Sequence, residues 1–410
     1  MKISNKRKSM RVAKAILTFS TAPIQFMLFL AVRSVRSRLL LRFAWVITPR
    51  IGHMASNFEI LLTNLELEHK YRERKTITLW VPSSEIVANK FLLKMIKRRV
   101  FVVPRWSWIV VVYLNRYISG GHLHDLGAGN ERDYGSILDS FPPQLRFNSK
   151  ELEEGKRFLK SIGIPINSKF VCLNVRDSTY LSVMYPGKDW SYHDYRDTDL
   201  RSYVDSVKYL VDQGYFVIRM GAVVGDAFPF SHPMFIDYAC SGLRTDFLDV
   251  FLGANCAFCI STGTGFDSLP YVFRRNIVFV NHAPMRDLHL SSSRFVNLSQ
   301  NVLNLSTGEF LSLKQILEID ESEFMLIGRD MHSSLKLIQN TAEQILEAVK
   351  EADLRLNGMW IEDEQDHLLQ NQFKVIFSRT MQSLGIEIEE LRMNYSSHEL
   401  KNNSRLLSEI

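Results

Sequence analysis

The chain has 410 residues, enough for two domains with separate cores, and its 46% apolar and 23% charged content is ordinary for a globular protein. The net charge of +6 comes from one end: residues 1–58 contain eleven Lys or Arg and no Asp or Glu, which leaves 39 basic against 44 acidic side chains in the rest. A body with a small acidic excess argues against nucleic acid as a partner.

An uncharged segment, AILTFSTAPIQFMLFLAV, lies between Lys14 and Arg33. A cleaved secretory signal is disfavoured because RSVRSR follows where a small-residue cleavage site would lie. A spanning helix has sufficient length, but Pro23, Gln25 and the basic residues on both sides weaken it. We expect residues 1–42 to form a peripheral or monotopic helix on the cytoplasmic face of the inner membrane, bound to anionic lipid. A first helix packed on the body remains the alternative.

Strand and helix patterns alternate after this segment. Strands are predicted at 43–47, 76–81 and 99–104, with helices at 58–68 and 85–97. This order predicts a parallel sheet covered by helices, in a first domain of residues 43–150. The segment 106–117 fits either helix or strand. Residues 119–148 are rich in glycine and polar groups, as a long functional loop or a linker would be.

A second alternating series indicates another doubly wound domain at residues 151–330. Strands are predicted at 170–175, 215–220, 234–239, 256–261 and 276–281, and helices at 200–214, 246–254 and 266–274. Residues 331–410 are predicted to be a helical extension, with its clearest helix at 335–356 and frayed residues at 396–410. Cys256 and Cys259 form a CxxC, but their place on a buried strand predicts core cysteines and not a redox or zinc pair.

The glycine-containing stretch STGTG follows the strand at 256–261. Ligands of an open parallel sheet bind beyond the carboxyl ends of its strands, where glycines allow close approach and helix N-termini favour anions. The stretch therefore predicts a phosphate or diphosphate site at Ser261, Thr262, Gly263, Thr264 and Gly265. Asp267 either contacts ribose hydroxyls or completes a capping box with Thr264.

Several segments carry a family resemblance. TDFLDVFLGANCAFCI and the glycine loop after it resemble glycosyltransferases of the GT-B architecture, including the bacterial heptosyltransferases. An uncharacterised bacterial family assigned to glycosyl transfer in surface-polysaccharide gene sets is more closely similar, through RIGHMASNFEI (50–60), VRDSTYL (175–181), HDYRDTDLRSY (193–203), GYFVIRMG (214–221) and STGTGFDSLPYVF (261–273). The resemblance covers roughly residues 43–300. It implies a GT-B-like α/β fold, with two Rossmann-like domains facing a cleft, and a nucleotide-sugar donor at the glycine loop.

Further donor contacts are expected where other strands of the second domain end. Arg176 and Arg219 each follow a predicted strand, so both guanidinium groups should reach the crevice of the Gly263 loop, where Gly221 also lies. Arginine suits bidentate phosphate contacts, and burying Arg219 without an anion would be costly. Asp177 beside Arg176 could simply pair with a neighbour.

Acceptor-side residues are expected on loops of both domains. Arg50, Gly52 and His53 are predicted on the first β-to-α loop, with His53 as the general base or, equally, a structural histidine. Further candidates for contacts to sugar hydroxyls are His124, Asp125, His193, Tyr195 and Arg196.

No metal and no other cofactor is expected. The DTD at 197–199 resembles the metal-binding DxD of another glycosyltransferase architecture, but it opens a helix, where Asp and Thr are ordinary caps. Arginine and helix dipoles can stabilise a leaving diphosphate instead.

The function expected is sugar transfer from a nucleotide-activated donor to a glycan or lipid-linked acceptor in cell-surface polysaccharide synthesis. A sugar-nucleotide epimerase of the same architecture and a non-catalytic membrane scaffold are the alternatives.

Overall fold

The structure, a computed structural model, describes residues 2–70, 75–177, 179–184, 187, 195–328, 334–388 and 390–408. It divides into two compact units, here called the first unit (Met1–Arg132 and Pro143–Phe147) and the second unit (Asp133–Pro142 and Asn148–Ile410). The chain enters the second unit at Asp133, returns to the first unit for residues 143–147 and enters the second unit again at Asn148, close to the predicted boundary at residue 150. The residues after 330 belong to the second unit.

The first unit contains a long N-terminal helix followed by alternating strands and helices. In chain order these are α1 (Lys2–Ser34), β1 (Leu39–Val46), α2 (Ile51–Lys70), β2 (Lys75–Pro82), α3 (Lys90–Arg99), α4 (Arg105–Tyr117) and β3 (Asp125–Gly127). The strands form a parallel sheet in the order β2-β1-β3. Helix α4 packs against this sheet, with Val111 and Val112 fully buried in the same apolar cluster as Phe43.

Several helix and strand predictions for the first unit differ from the structure in bounds or type. The strand predicted at 43–47 is β1, which begins at Leu39, and the helix predicted at 58–68 is α2, which begins at Ile51. Helix α3 begins at Lys90 and not at residue 85, because the Asn89 side chain caps it by accepting a hydrogen bond from the Leu92 amide at 2.8 Å. The segment 99–104 contributes a bridge between Val102 and Trp80 in place of the predicted strand. The segment that fitted either pattern is helix α4.

The second unit is built around a larger parallel sheet. Its first elements are α5 (Ile137–Ser140), α6 (Ser149–Ser161), β4 (Phe170–Asn174), α7 (Thr179–Met184), α8 (Val204–Asp212), β5 (Phe216–Arg219), β6 (Phe235–Ile236), α9 (Asp246–Asn255), β7 (Phe258–Ser261), α10 (Ser268–Val272), β8 (Asn276–His282) and β9 (Phe295–Ser299). The remaining elements are β10 (Asn301–Asn304), β11 (Glu309–Phe310), α11 (Leu313–Glu318), α12 (Glu321–Gly328), β12 (Leu335–Ile338), α13 (Ala342–Leu356), α14 (Glu364–Ser383), β13 (Asn394–Tyr395) and α15 (Ser397–Asn402). Strands β10, β11 and β12 form a small antiparallel sheet.

The strand order of the large sheet places a topological switch at its centre. The order is β13-β9-β8-β7-β4-β5-β6, and every neighbouring pair is parallel. The chain runs outward from β4 through β5 to β6 and then returns to β7 on the other side of β4. In open α/β sheets, the carboxyl ends of the two strands at such a switch are the usual ligand site.

The C-terminal region is more ordered than the sequence patterns indicated. The helix predicted at 335–356 starts only at Ala342, after the capping residue Thr341, and Leu335–Ile338 is strand β12 instead. The residues predicted to fray form α15 and its flanks, in which Leu400 and Leu406 are buried.

The predicted fold class is confirmed at the level of architecture. The chain is α/β, with a parallel sheet in each unit, an apolar N-terminal helix and helices near its C-terminus. The apolar runs predicted as strands at 170–175, 215–220 and 276–281 correspond to β4, β5 and β8.

Candidate functional site

The loops that follow β4 and β7 are joined directly at the switch point. The Thr262 amide donates to the Asn174 carbonyl at 3.3 Å, and the Arg176 amide donates to the Thr262 hydroxyl at 3.0 Å. The Asn174 side-chain amide also donates to the Thr264 hydroxyl. These bonds hold the two loops as one surface, as a preformed ligand site requires.

Gly263 occupies a position in this surface that only glycine fits. Its φ of +75° lies in the left-handed region, and an added Cβ would lie 2.8 Å from Nδ1 of His282. His282 ends β8, and its Nε2 donates to the Asp287 carbonyl at 2.8 Å. His282 was not among the predicted site residues, although its place at the end of a buried strand next to β7 is a usable signal.

In the bend after β7, several backbone amides and side chains are hydrogen-bonded to one another. The carboxylate of Asp267 is 5% exposed and accepts bonds from the Ser261 hydroxyl at 2.9 Å and the Thr264 amide at 2.7 Å. The amides of Gly263 and Phe266 donate to the hydroxyls of Ser261 and Thr264. These bonds occupy the Asp267 carboxylate within the bend, which argues against a ribose contact. Helix α10 begins at Ser268 with Asp267 as its N-cap residue, so the bond from the Thr264 amide is not the predicted capping box at the helix start. Gly265 is the exposed residue of the bend.

Two arginines are connected to this bend: Arg176, whose amide is bonded to Thr262, and Arg196, whose charge acts on Arg176. Arg176, with a side chain 15% exposed, pairs with Asp197 at 3.3 Å between Nε and Oδ1. Burial lowers the pKa of Arg176, the nearby charge of Arg196 lowers it further, and Asp197 opposes both effects. Arg196 lies over the Tyr195 ring at 5.4 Å and donates to its hydroxyl at 3.1 Å. Two guanidinium groups that repel one another are suited to sharing an anion.

Arg219 is held differently from the prediction. Its side chain has no exposed surface, and Nη1 donates to the Asp226 carbonyl at 2.7 Å and to the Asp237 carboxylate at 3.1 Å. The ion pair with Asp237 offsets part of the buried charge, although Nε and Nη2 have no hydrogen-bond partner among the described residues. Because the Arg219 side chain has no exposed surface, a phosphate at the surface of the crevice does not reach it, unlike the partly exposed Arg176. Gly221 is likewise constrained by packing, because an added Cβ would lie 2.7 Å from Val224.

Asp177 connects the loops after β4 and β5. Its carboxylate accepts bonds from the amides of Thr179 and Gly225, both at 2.7 Å. Burial alone would raise the pKa of Asp177, but the bonds from Gly225 and Thr179 outweigh it and the pKa is lowered. The carboxylate therefore supports the edge of the switch-point surface, as the pairing alternative predicted.

In the first unit, His53 is part of a histidine–carboxylate pair. Its Nδ1 lies 2.8 Å from Oε2 of Glu131, and its Nε2 lies 3.4 Å from Nη1 of Arg50. A proton on Nδ1 satisfies the carboxylate and leaves Nε2 as an acceptor, as in an oriented general base, but the Arg50 guanidinium is placed to donate to the same Nε2 lone pair. The side chain is 27% exposed. Glu131 lies in the glycine-rich segment 119–148 and was not among the predicted site residues.

The predicted loop position of Gly52 and His53 was wrong. Helix α2 already begins at Ile51, so both residues lie in its first turn and Gly52 makes no tight turn. Only Arg50 precedes the helix.

Two other acceptor-side candidates have structural roles. His124 has no exposed surface, its Nδ1 donates to the Leu41 carbonyl at 2.6 Å, and burial lowers its pKa. Asp125 pairs with Arg116 at 2.5 Å. A side chain without exposed surface cannot meet a sugar, so His124 is removed from the acceptor set. His193 lies outside the described residues.

The DTD and CxxC segments make contacts within the described part of the chain. Asp199 caps the turn that begins at Leu200, as predicted, whereas Asp197 pairs with Arg176. Among the described residues, no group of three or more His, Cys, Asp or Glu side chains is placed to hold a metal ion. Cys256 and Cys259 are buried, and burial raises the pKa of the Cys259 thiol well above its usual value.

Two cavities lie in the first unit, away from all predicted site residues. One of 290 Å³ is lined by Met95, Arg98, Arg99, Gln144 and Arg146. The other, of 350 Å³, extends along Thr76, Thr78 and Trp80 of β2. Both lie next to the amino end of β2 or the C-terminal end of α3, whereas ligands of parallel sheets bind at carboxyl ends.

Comparison with protein-family models gave no match, and no curated protein sequence matched significantly, so the resemblance to the surface-polysaccharide family stays a prediction. Among solved structures, the chain is similar to E. coli ADP-heptose LPS heptosyltransferase II at 13% identity and a TM-score of 0.40, over 77% of this chain and 100% of that one. A family 9 glycosyl transferase of Veillonella parvula gives 11% identity and a TM-score of 0.41, over 77% and 97%. E. coli heptosyltransferase WaaC with ADP-2-deoxy-2-fluoro heptose gives 12% and 0.27, over 58% and 88%. At these TM-scores, the likeness says nothing about residues or chemistry.

Proposed function

We propose that this chain transfers a sugar from a nucleotide-activated donor to a glycan or lipid-linked acceptor in cell-surface polysaccharide synthesis. The observation that carries the proposal is Arg176, whose amide is bonded to Thr262 of the left-handed Gly263 bend at the switch point of the large sheet, with Arg196 close enough to lower the pKa of Arg176. Such a position favours a nucleotide, and paired guanidinium groups favour its diphosphate.

In the second unit, the proposed donor contacts come from Arg176, Arg196 and the exposed Gly265 of the bend. The guanidinium groups would stabilise the charge that develops on the leaving diphosphate, so the proposed transfer needs no metal ion. Asp267 and Arg219 would hold the loops around this surface in place, since both are already bonded within the protein.

In the first unit, His53 is the proposed general base. Its Nε2 would take the proton of an acceptor hydroxyl while that oxygen bonds to the anomeric carbon, and the bond between that carbon and the diphosphate oxygen breaks. Glu131 would orient the ring and stabilise the imidazolium that forms. The nucleoside diphosphate leaves with the electron pair of the broken bond.

The site of action is proposed to be the cytoplasmic face of the inner membrane. In the described chain, Ala15–Ser34 is long and apolar enough to cross a membrane, although a buried core helix or a signal sequence would pass the same test. The excess of basic residues at 1–58 supports contact with anionic lipid.

A thermal-shift screen against UDP-, GDP-, CMP- and ADP-sugars tests the donor site. At least one should raise the Tm by a few degrees, because ligand binding to the folded state at about 100 times Kd contributes about 2.7 kcal/mol. Arg176→Ala should lose this shift. Arg157→Ala, which removes an exposed arginine of α6, should keep it. If none of these sugar nucleotides shifts the wild-type protein, the proposal fails.

The same donor then tests the reaction. Release of the free nucleotide in the presence of acceptor (a nucleoside diphosphate from a UDP-, GDP- or ADP-sugar, CMP from a CMP-sugar) separates transfer from epimerisation, which returns the sugar still bound to the nucleotide. His53→Gln should keep the thermal shift and lower the release rate by about 10²- to 10⁴-fold, the usual contribution of a general base.

A further inference from the structure

The N-terminal helix α1 exposes a large apolar surface on the side that does not contact α4. Within Ala15–Ser34, only 17% of the segment is buried. The exposed fractions are 63% for Ile16, 84% for Phe19, 56% for Ile24 and 62% for Met27. Solvent exposure of so many large side chains on one helix indicates a nonaqueous contact.

The C-terminal half of the same helix is attached to α4 by polar and apolar contacts. Gln25 is 1% exposed, donates from Nε2 to the Trp106 carbonyl at 2.9 Å and accepts from the Val110 amide at 3.0 Å. Phe29 and Val32, one and two turns further on, are buried. Arg33 donates to the Ser119 carbonyl at 2.6 Å.

Helix α4 cannot leave the first unit with α1, because Val111 and Val112 are fully buried in the unit's core. Removing two such residues from the core would cost several kcal/mol, at about 1.5–3 kcal/mol for each apolar side chain. Residues from Gln25 onward are therefore held at the surface of the first unit.

This attachment limits how deep the helix can reach. The apolar part that precedes Gln25, residues 15–24, is ten residues long, or about 15 Å of helix at 1.5 Å per residue. A bilayer core is about 30 Å thick and needs about 20 residues. Toward the N-terminus this part is preceded by Lys14 and Arg11, whose charges are unfavourable in a bilayer core. The docked helix is too short to span.

We propose that α1 stays docked on α4 and inserts its exposed face, including Phe19 and Ile24, to partial depth in an anionic bilayer, so that both of its ends remain on one side. Nine basic and no acidic residues at 1–38 supply the charge complementarity to anionic lipid. The inference is independent of the proposed sugar transfer, since it rests on contacts within the first unit.

Cysteine labelling in inverted membrane vesicles from expressing cells tests the topology. Single cysteines Ser9→Cys and Val35→Cys are placed in a Cys240→Ser background, because the three other native cysteines are buried. Both positions should react with a membrane-impermeant maleimide in intact vesicles. A residue 9 that reacts only after permeabilisation would show a spanning helix and overturn the proposal.

Purified protein and sealed vesicles test the lipid contact. The wild type should co-sediment with vesicles of phosphatidylcholine and phosphatidylglycerol, and weakly with phosphatidylcholine alone. Phe19→Glu should lower binding at least tenfold, while the matched control Phe101→Glu, an exposed phenylalanine (71%) outside α1, should bind as the wild type does. Equal binding of the Phe19→Glu variant and the wild type would overturn the proposal.

Discussion

Several polar residues considered as ligand contacts are hydrogen-bonded within the protein. Arg219 and His124 were expected to contact substrate, and Asp267 was expected either to contact ribose hydroxyls or to complete a capping box, yet all three are buried and bonded to neighbours. A buried loop amide, carbonyl or carboxylate must find a partner, and the nearest side chain of the right type supplies it. Gly263, by contrast, must be glycine, because its φ is left-handed and the ring of His282 leaves no room for a Cβ atom.

Gly263→Ala is therefore expected to destabilise the protein by about 2–5 kcal/mol, the sum of left-handed backbone strain and overpacking against His282. The matched control is Gly242→Ala, because Gly242 also has a left-handed φ of +72° but open space around it. Its loss should be only about 1–2 kcal/mol. Urea unfolding measures both. Equal losses in the two variants would contradict the predicted clash.

Among the helices, α9 carries a buried acid on the side that faces the protein. Asp249 is 6% exposed, and its Oδ2 lies 2.6 Å from Nη2 of Arg244. Burial raises the pKa of Asp249 to about 6, against the opposing effect of Arg244. The folded pKa is thus above the unfolded value of 3.8, so the folded state binds the proton more tightly. The resulting stability is complete below the unfolded pKa and is lost as pH rises through about 6.

The prediction is that the wild type loses stability relative to Asp249→Asn as pH rises from about 4 to about 6, because the amide does not titrate. Urea unfolding of both proteins at several pH values measures the difference. A difference that stays constant over this window would show that Asp249 does not have the raised pKa.

For the molecule as a whole, the second unit is complete only with residues far along the chain. Strand β13 pairs with β9, and its Tyr395 is fully buried with its ring stacked on Phe373 at a centroid distance of 4.4 Å. Glu399 accepts bonds from Asn301 and Gln344. The C-terminal residues are thus part of one core.

Tyr395→Ala should accordingly lower the free energy of unfolding of the second unit by about 3–5 kcal/mol, as expected for an aromatic side chain removed from a core. Ile361→Ala, which truncates a side chain that is 87% exposed, should change it by less than about 0.5 kcal/mol. Denaturant unfolding compares the two. An unchanged transition for Tyr395→Ala would mean that the C-terminal region is an independent extension.

The strands and helices were predictable where local patterns were strong. FVCLNV and NIVFVN are buried runs bounded by breakers, and they correspond to β4 and β8. The two-residue strand β13 has no such pattern, since its pairing with Val296 and Asn297 comes from a distant part of the chain. In the site, the Gly263 bend was predictable from its glycines and its place after a strand, whereas the partners Glu131 and His282 were not.

Local periodicity, cap residues and the segregation of basic charge were enough to establish the α/β class, the two halves and an apolar N-terminal helix, because these properties depend on neighbours in sequence. Only the packed structure shows that the side chain of Arg176 is partly exposed, whereas that of Arg219 is fully buried and paired with Asp237. The same is true of the docking of α1 on α4, which sets how much of that helix is free for a membrane. Burial and charge pairing are set by residues that meet only after folding, and the order of residues along the chain does not contain those distances.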